Sequence, residues 1–121
     1  KEMAQFLFQS SLIITPCRVS RDDIVGQGWI EVFLKQSNQN VKKAPILTVL
    51  NGVNKRSSIL SHVIEQLKED GVQVAETCIS QRVCFAETNV NKISVIGYNK
   101  HATKEIVDLT NEALNLIKSE I

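Results

Sequence analysis

The amino-acid sequence predicts one α/β domain, residues 1–121, with a mainly parallel sheet of three or four strands and helices on both faces. Apolar runs alternate with helical patterns from one end of the chain to the other. The apolar runs are continuous, which is typical of strands whose two faces are both buried. Helices between such strands indicate parallel pairing, and no internal repeat, low-complexity tract or linker divides the chain.

Three apolar runs are predicted to form the strands. The first covers residues 12–16 and stops at Pro16, the second covers residues 45–50, and the third covers residues 72–79. Residues 93–98 are predicted to form a further short extended run.

The longer helical patterns lie between and after these strands. A helix is predicted over residues 20–36, with Ser20 as its N-cap. A second helix is predicted over residues 57–70, and Gly71 stands where a glycine commonly ends a helix. The last helix is predicted over residues 103–118.

The remaining segments are less regular. Residues 37–44 are predicted to form a surface loop, and residues 51–56 the loop that follows the second strand. Residues 80–91 are predicted to be mixed, with one helical turn. Residues 1–9 resemble the end of a helix without its preceding strand, so the chain is expected to begin in mid-fold.

Composition excludes several classes of protein. The net charge is +1, from 14 Lys+Arg against 13 Asp+Glu, so a nucleic-acid site would have to be a local patch. The three cysteines are odd in number and lack a CxxC spacing, which predicts reduced, buried thiols rather than a disulfide or zinc framework. No apolar run reaches the roughly 18 residues of a membrane span. His62 and His101 lack a catalytic partner at a telling spacing and are predicted to be surface residues.

Four stretches, in order along the chain, carry a family resemblance. Residues 11–22 read SLIITPCRVSRD and resemble the pattern DLVIIPVxPSPxD, and residues 47–53 read LTVLNGV and resemble FVINRV. Residues 79–87 read ISQRVCFAE and are similar to IxQRVAYxEA. Residues 94–96 and 102–114 are similar to SVFE and AAxEIxxLxxEI. These patterns are those of the second half of ParA/MinD-type ATPases, and within them of the small ParA group encoded beside plasmid or chromosomal partition loci.

The resemblance implies a fold and a cofactor. The chain would be the C-terminal half of a P-loop (deviant Walker) NTPase, and the full-length parent would bind ATP and Mg²⁺. The family's Walker A loop KGGxGKT and its DxxG strand lie upstream in the family and have no counterpart in this sequence. The resemblance therefore implies either a fragment or a degenerate relative that does not hydrolyse ATP by itself. No catalytic and no metal-ligating residue is predicted.

Five residues are candidates for binding. The resemblance implies that the amide of Asn51 faces adenine and that Pro16 lines the same pocket by apolar contact. It also implies that Lys55, Arg56 and Arg82 contribute to a surface that binds DNA without sequence preference, since cations beside a helix N-terminus suit a phosphate backbone. The residues alone also permit a turn at Asn51, simple strand termination at Pro16 and solvated charge at the three cations.

The resemblance further implies partners. ATP would join two subunits, the homodimer or a larger assembly would bind DNA, and a ParB-like partition protein would stimulate hydrolysis, in the bacterial cytoplasm at the nucleoid. The first alternative is a non-catalytic ParA-like module that self-associates or binds a partner protein. The second is a MinD-like regulator at the membrane, which is disfavoured because residues 103–121 lack a clear basic amphipathic pattern.

Self-association is expected on a second ground. A doubly wound sheet cut in the middle would expose one of the three predicted strands, foremost residues 12–16 or 45–50, and an open strand edge invites pairing with another chain. Trp29 and Phe33 lie one helical turn apart and are predicted to face the core. Loss of an upstream half would leave apolar surface around them, which association would cover.

Overall fold

The computed structural model describes residues 10–37 and 45–119 and shows strands and helices in alternation. Residues 1–9, predicted to end a helix, and residues 38–44 of the predicted loop lie outside the described residues. The strands are β1 (Ile13–Cys17), β2 (Ile46–Val53) and β3 (Ile79–Ser80), and the helices are α1 (Arg21–Ser37), α2 (Ile59–Glu69), α3 (Val83–Asn91) and α4 (Lys100–Ser119).

The three described strands form one parallel sheet in the order β1-β2-β3. Ile13 lies opposite Ile46 and Cys17 opposite Leu50, so β1 and β2 pair over the whole length of β1. The predicted α/β class with parallel strands is confirmed. Among the described strands β2 is central and β1 lies at an edge, so the first of the two strands predicted to be exposed is the one without a second neighbour.

Helices cover both faces of the sheet, as predicted. Successive side chains of a strand point to opposite faces, so the apolar residues of the strands form two separate clusters with the helices. On one face, Leu50 of β2 packs with Cys17 of β1 and Leu67 of α2. On the other, Leu47 and Val49 of β2 form a second cluster. That cluster includes Ile79 of β3, Phe85 of α3, and Ile106, Leu109 and Leu116 of α4.

A buried polar chain joins α1 to the sheet. Gln27 Nε2 donates to Thr15 Oγ1 at 3.0 Å, and that oxygen lies 3.1 Å from Thr48 Oγ1. Gln27 and Thr48 are both buried. A shift of one residue in strand register would turn one threonine to the other face, so this chain of hydrogen bonds helps to specify the register of β1 against β2.

The helix ends follow the local sequence. The backbone N–H of Asp23 donates to Ser20 Oγ at 3.2 Å, which confirms Ser20 as the N-cap of α1. Gly71 has φ +81, a left-handed conformation suited to glycine, and it follows the end of α2 as predicted. Asn99 plays the capping role for α4, since its Oδ1 accepts from Ala102 N at 3.0 Å, and the helix therefore starts earlier than the predicted residue 103.

The third strand is much shorter than predicted. Of residues 72–79, Val74 forms an isolated bridge to Thr48, and a regular strand exists only at Ile79–Ser80. Between these points the N–H groups of Glu76 and Thr77 donate to the carboxylate of Glu112 at 2.8 and 3.0 Å. A side chain from α4 thus takes both donors, and the Thr77 N–H is the one that a continuous strand would have given to β2, since it lies on the same side as the Ala75 N–H, which donates to Thr48 O.

Three other predictions of local structure were wrong. Residues 93–98 form turns rather than an extended run, and Gly97 there has φ +83. The expected single turn in residues 80–91 is a helix of 9 residues, α3. Strand β2 continues through Val53 instead of ending before residue 51. The register with β3 shifts between Asn51 and Val53, and Gly52, which lies between them, has φ +66.

Trp29 is not a core residue. Its side chain is 70% exposed, whereas Gln27 of the same helix is 2% exposed. Two residues correspond to about 200° around an α-helix, so the helix that buries Gln27 against the sheet must turn Trp29 away from it. The side chain of Phe33, predicted to accompany Trp29, lies outside the described residues.

Candidate functional site

Two clefts flank the loop that follows β2, at the edge where the parallel strands end. This is the edge at which open α/β sheets bind their ligands. The larger cleft has a volume of about 610 Å³ and lies between the N-terminal ends of α1 and α2. The smaller cleft has a volume of about 490 Å³ and lies between residues 53–56 and residues 80–82.

The larger cleft contains opposite charges that neutralise each other at the surface. The backbone N–H and the Nε of Arg18 both donate to Asp23 Oδ2, at 3.0 and 3.1 Å. These hydrogen bonds, the side-chain one first, lower the pKa of Asp23. Asp22 adds a second carboxylate to the wall. This cleft therefore lacks a concentrated positive charge.

The smaller cleft is lined by the three cations that were predicted to contact DNA: Lys55, Arg56 and Arg82. Beside them lies a carboxylate from α4. Glu105 Oε2 accepts from Lys55 Nζ at 2.7 Å, and Glu105 Oε1 accepts from Arg82 Nε at 3.3 Å. Ser80 donates to the same carboxylate twice, through Oγ at 2.6 Å and through its backbone N–H at 3.2 Å.

Glu105 is buried and ionised. The residue is 5% exposed, and burial by itself would raise its pKa. The hydrogen bonds from Lys55, Ser80 and Arg82 outweigh burial and lower the pKa of Glu105 to about 2. The carboxylate is therefore charged at neutral pH, and its four donors satisfy it.

Lys55 and Arg82 each retain donors that the bonds to Glu105 do not use. Arg82 binds Glu105 through Nε, which leaves its terminal nitrogens, and Lys55 uses one of the three donors on its ammonium group for this pair. Arg56 is exposed and has no ion-pair partner among the described residues, and its backbone N–H donates to Asn54 Oδ1 at 3.1 Å. Three cations line the cleft and one buried carboxylate pairs with two of them, so the cleft has an excess of positive charge.

The two residues predicted to contact a nucleotide lie on one face of the sheet. Pro16 pairs with Val49, and Asn51 follows Val49 by two residues, so both side chains belong to the face covered by α4. Strand geometry places their Cα atoms about 8 Å apart. Both residues are exposed, and neither lines the two clefts. Asn51 lies within β2, paired with Ile79, rather than in the predicted loop.

Glu105 and Ser80 are the site residues that the sequence analysis missed. A signal for Glu105 was present, because it stands next to Ile106 and one helical turn before Leu109, on the apolar face of the last predicted helix. A carboxylate on a buried helix face requires partners. The sequence does not indicate which partners these are, since they come from β3 and from two loops, all at least 23 residues away.

The other candidate groups have no visible catalytic arrangement. His62 and His101 are exposed, as predicted. Cys17, Cys78 and Cys84 are free thiols, Cys17 and Cys84 being buried, and burial raises the pKa of Cys17 and of Cys78. Within residues 10–37 and 45–119, no cluster of three His, Cys, Asp or Glu side chains could hold a metal ion.

Comparison with known proteins finds no family model that matches the chain and no curated protein with significant similarity to it. The helices in the described part of the chain include none that is both long and apolar enough to cross a membrane.

Proposed function

We propose that this chain forms the C-terminal part of a ParA-like ATPase that acts in plasmid or chromosome partitioning. In this proposal it supplies the base-recognition edge, contacts to DNA and part of a dimer surface. The observation that carries the proposal is the placement of Pro16 and Asn51, both exposed, on one sheet face near the carboxyl ends of adjacent parallel strands. These are the residues to which the family resemblance assigns adenine.

The chemistry of this pair suits a purine. The Asn51 amide can donate to and accept from the edge of a base, and the Pro16 ring offers an apolar surface to its plane. ATP and Mg²⁺ belong to the full-length parent in this proposal, because phosphoryl transfer needs a phosphate cradle, a lysine and a metal site. By itself the chain is proposed to bind no cofactor tightly and to have no turnover.

The smaller cleft supports the proposed contacts to DNA. Lys55, Arg56 and Arg82 lie together around a volume of about 490 Å³, although the whole chain carries a net charge of only +1. A local excess of positive charge is what non-specific binding to a phosphate backbone requires. The ParB-like partner, the homodimer and the location at the nucleoid rest on the resemblance alone.

Replacement of Asn51 by alanine tests the base-recognition role. In the full-length protein, Asn51→Ala should weaken binding of a fluorescent ATP analogue by about three- to tenfold, since it removes one or two hydrogen bonds to the base. Asn89→Ala is the matched control, because Asn89 is also exposed but lies on α3. Equal affinities of wild type, Asn51→Ala and Asn89→Ala would contradict the proposal.

A second candidate function is that of a non-catalytic module that self-associates. It is favoured by apolar surface at the β1 edge, where Ile14 is 47% exposed, and on α1, where Val25 is 55% and Trp29 70% exposed. A second copy of the chain would cover these side chains through edge pairing of β1.

Light scattering over a range of concentrations tests this self-association. The wild-type chain should give a mass above that of the monomer, and Trp29→Ser should shift the equilibrium towards the monomer because it reduces the apolar area to be covered. A monomeric mass at every concentration, with cooperative unfolding, would rule this candidate out.

A further inference from the structure

Lys55 and Arg82 come from two different loops and meet at one carboxylate. Lys55 follows β2, Arg82 follows β3, and Glu105 projects from α4 to bind both, at 2.7 and 3.3 Å. Ser80 fixes the carboxylate itself, with a hydrogen bond to each of its two oxygens. The positions of the two cations are therefore set relative to one another by a single buried group.

Both cations that Glu105 binds are more exposed than the carboxylate itself. The Lys55 side chain is 56% exposed and that of Arg82 is 27% exposed, whereas that of Glu105 is 7% exposed. Both cations line the cleft, so the terminal nitrogens of Arg82 and the remaining ammonium donors of Lys55 are available to it. A planar guanidinium edge beside a point charge matches the oxygens of a phosphate group.

Core packing alone does not account for a carboxylate at this position. A buried ion pair contributes little to stability compared with apolar residues of similar volume, because desolvation offsets much of the Coulombic attraction. Here one carboxylate holds two cations, and both of them reach a cleft. Arg82 is also the N-cap of α3 and makes no side-chain capping bond, which adds the positive end of that helix to the same place.

We infer that Glu105 is the positioning residue of the smaller cleft, and that it holds Lys55 and Arg82 in the arrangement that binds one backbone phosphate of double-stranded DNA. The inference rests on the proposed DNA contacts of this cleft and assigns them a geometry. Glu105 itself does not touch the phosphate.

The variant Glu105→Gln tests the inference in the full-length protein. The amide oxygen of a glutamine can still accept a hydrogen bond from Ser80. Its NH₂ group is a donor and cannot accept from Lys55 or Arg82, so one or both cations are released. Glu112→Gln is the matched control, because Glu112 lies on the same helix, carries the same charge and also accepts two backbone hydrogen bonds, from Glu76 and Thr77.

The measurement is the affinity for a short mixed-sequence DNA duplex as a function of salt. Glu105→Gln should weaken binding by about tenfold at about 0.1 M salt, and should flatten the log–log salt slope by about one unit, because one phosphate contact is lost. Glu112→Gln should leave the slope unchanged. Circular dichroism and thermal melting of both variants establish that they are folded.

The opposite sign of effect overturns the inference. If Glu105 only repelled phosphate, its replacement by glutamine would tighten binding, because a negative charge is removed. Tighter or unchanged binding of Glu105→Gln, with normal binding by the wild type, overturns the positioning role alone. Failure of the wild type to bind duplex DNA overturns the proposed DNA contacts as well.

A second variant keeps the test decisive if Glu105→Gln does not fold. Arg82→Lys preserves the charge but cannot both bind Glu105 through one nitrogen and present a planar pair of donors outward. It should weaken duplex binding and flatten the slope, and an unchanged slope contradicts the inference. The same variant is also tested with polyglutamate, an acidic polypeptide. If Arg82→Lys weakens binding to polyglutamate as much as it weakens binding to the duplex, the assignment to phosphate is overturned.

Discussion

The two clefts at the carboxyl edge of the sheet share one loop but differ in how their cations are paired with carboxylates. In the larger cleft Arg18 and Asp23 are five residues apart in sequence and pair at the surface, where the Arg18 side chain is 77% exposed. In the smaller cleft Lys55 and Arg82 meet at Glu105, a buried residue from a helix that begins well downstream.

This difference shows when an ion pair can orient a side chain. A pair between exposed neighbours is screened by solvent and can break and re-form without cost to the fold. A buried carboxylate must be paired at all times, so its partners are held as firmly as the core around them. The same residue types therefore give a surface without excess positive charge on one side of the loop and an ordered cationic cleft on the other.

The largest expected effect is on stability. Glu105→Gln should lower the free energy of unfolding by about 2–4 kcal/mol, because it disrupts the hydrogen-bonding of two cations and Ser80 in a buried place. Urea unfolding followed by circular dichroism measures this loss. Asp23→Asn, in the other cleft, is the comparison and should cost distinctly less. Equal losses in the two variants would show that burial does not separate the two clefts.

A smaller effect is expected on the pH dependence of stability. The folded-state pKa of Glu105 is about 2, below its ordinary value of 4.5, so the ionised form is favoured by folding. This contribution is complete above about pH 4.5 and is lost as the pH falls towards about 2. We expect it to amount to about 1–2 kcal/mol once solvent screening around the exposed Lys55 is allowed for.

Glu105→Gln should lack this part of the acid destabilisation. The wild-type and variant unfolding free energies should approach one another between pH 4.5 and 2, the window that the two pKa values define. The lowered pKa of Asp23 acts in the same direction in both proteins and cancels in the difference. A constant difference across this window would contradict a depressed pKa at Glu105.

Much of the fold could be predicted from local pattern. The continuous apolar runs of residues 12–16 and 45–50 predicted parallel strands that are buried on both faces. The two strands are parallel and β2 is buried from Leu47 to Leu50, but Ile14 and Pro16 leave one face of β1 exposed. Ser20 and Gly71 marked helix ends because capping depends on a few neighbouring backbone groups. The run of residues 72–79 predicted a continuous strand, and this was wrong. Within it, the backbone N–H groups of Glu76 and Thr77 donate to Glu112, a carboxylate far away in the sequence.

The candidate site also has features that could be predicted from local sequence and features that could not. From the sequence, Pro16 and Asn51 could be placed near the carboxyl ends of two strands and the three cations could be named, and the binding roles of these residues stay predictions. The partner that Lys55 and Arg82 share, Glu105, and the outward orientation of Trp29 are visible only in the folded chain. Capping and strand pattern act between near neighbours in the chain. The pairing of a buried charge depends on which distant loops the packed sheet and helices bring within hydrogen-bonding distance.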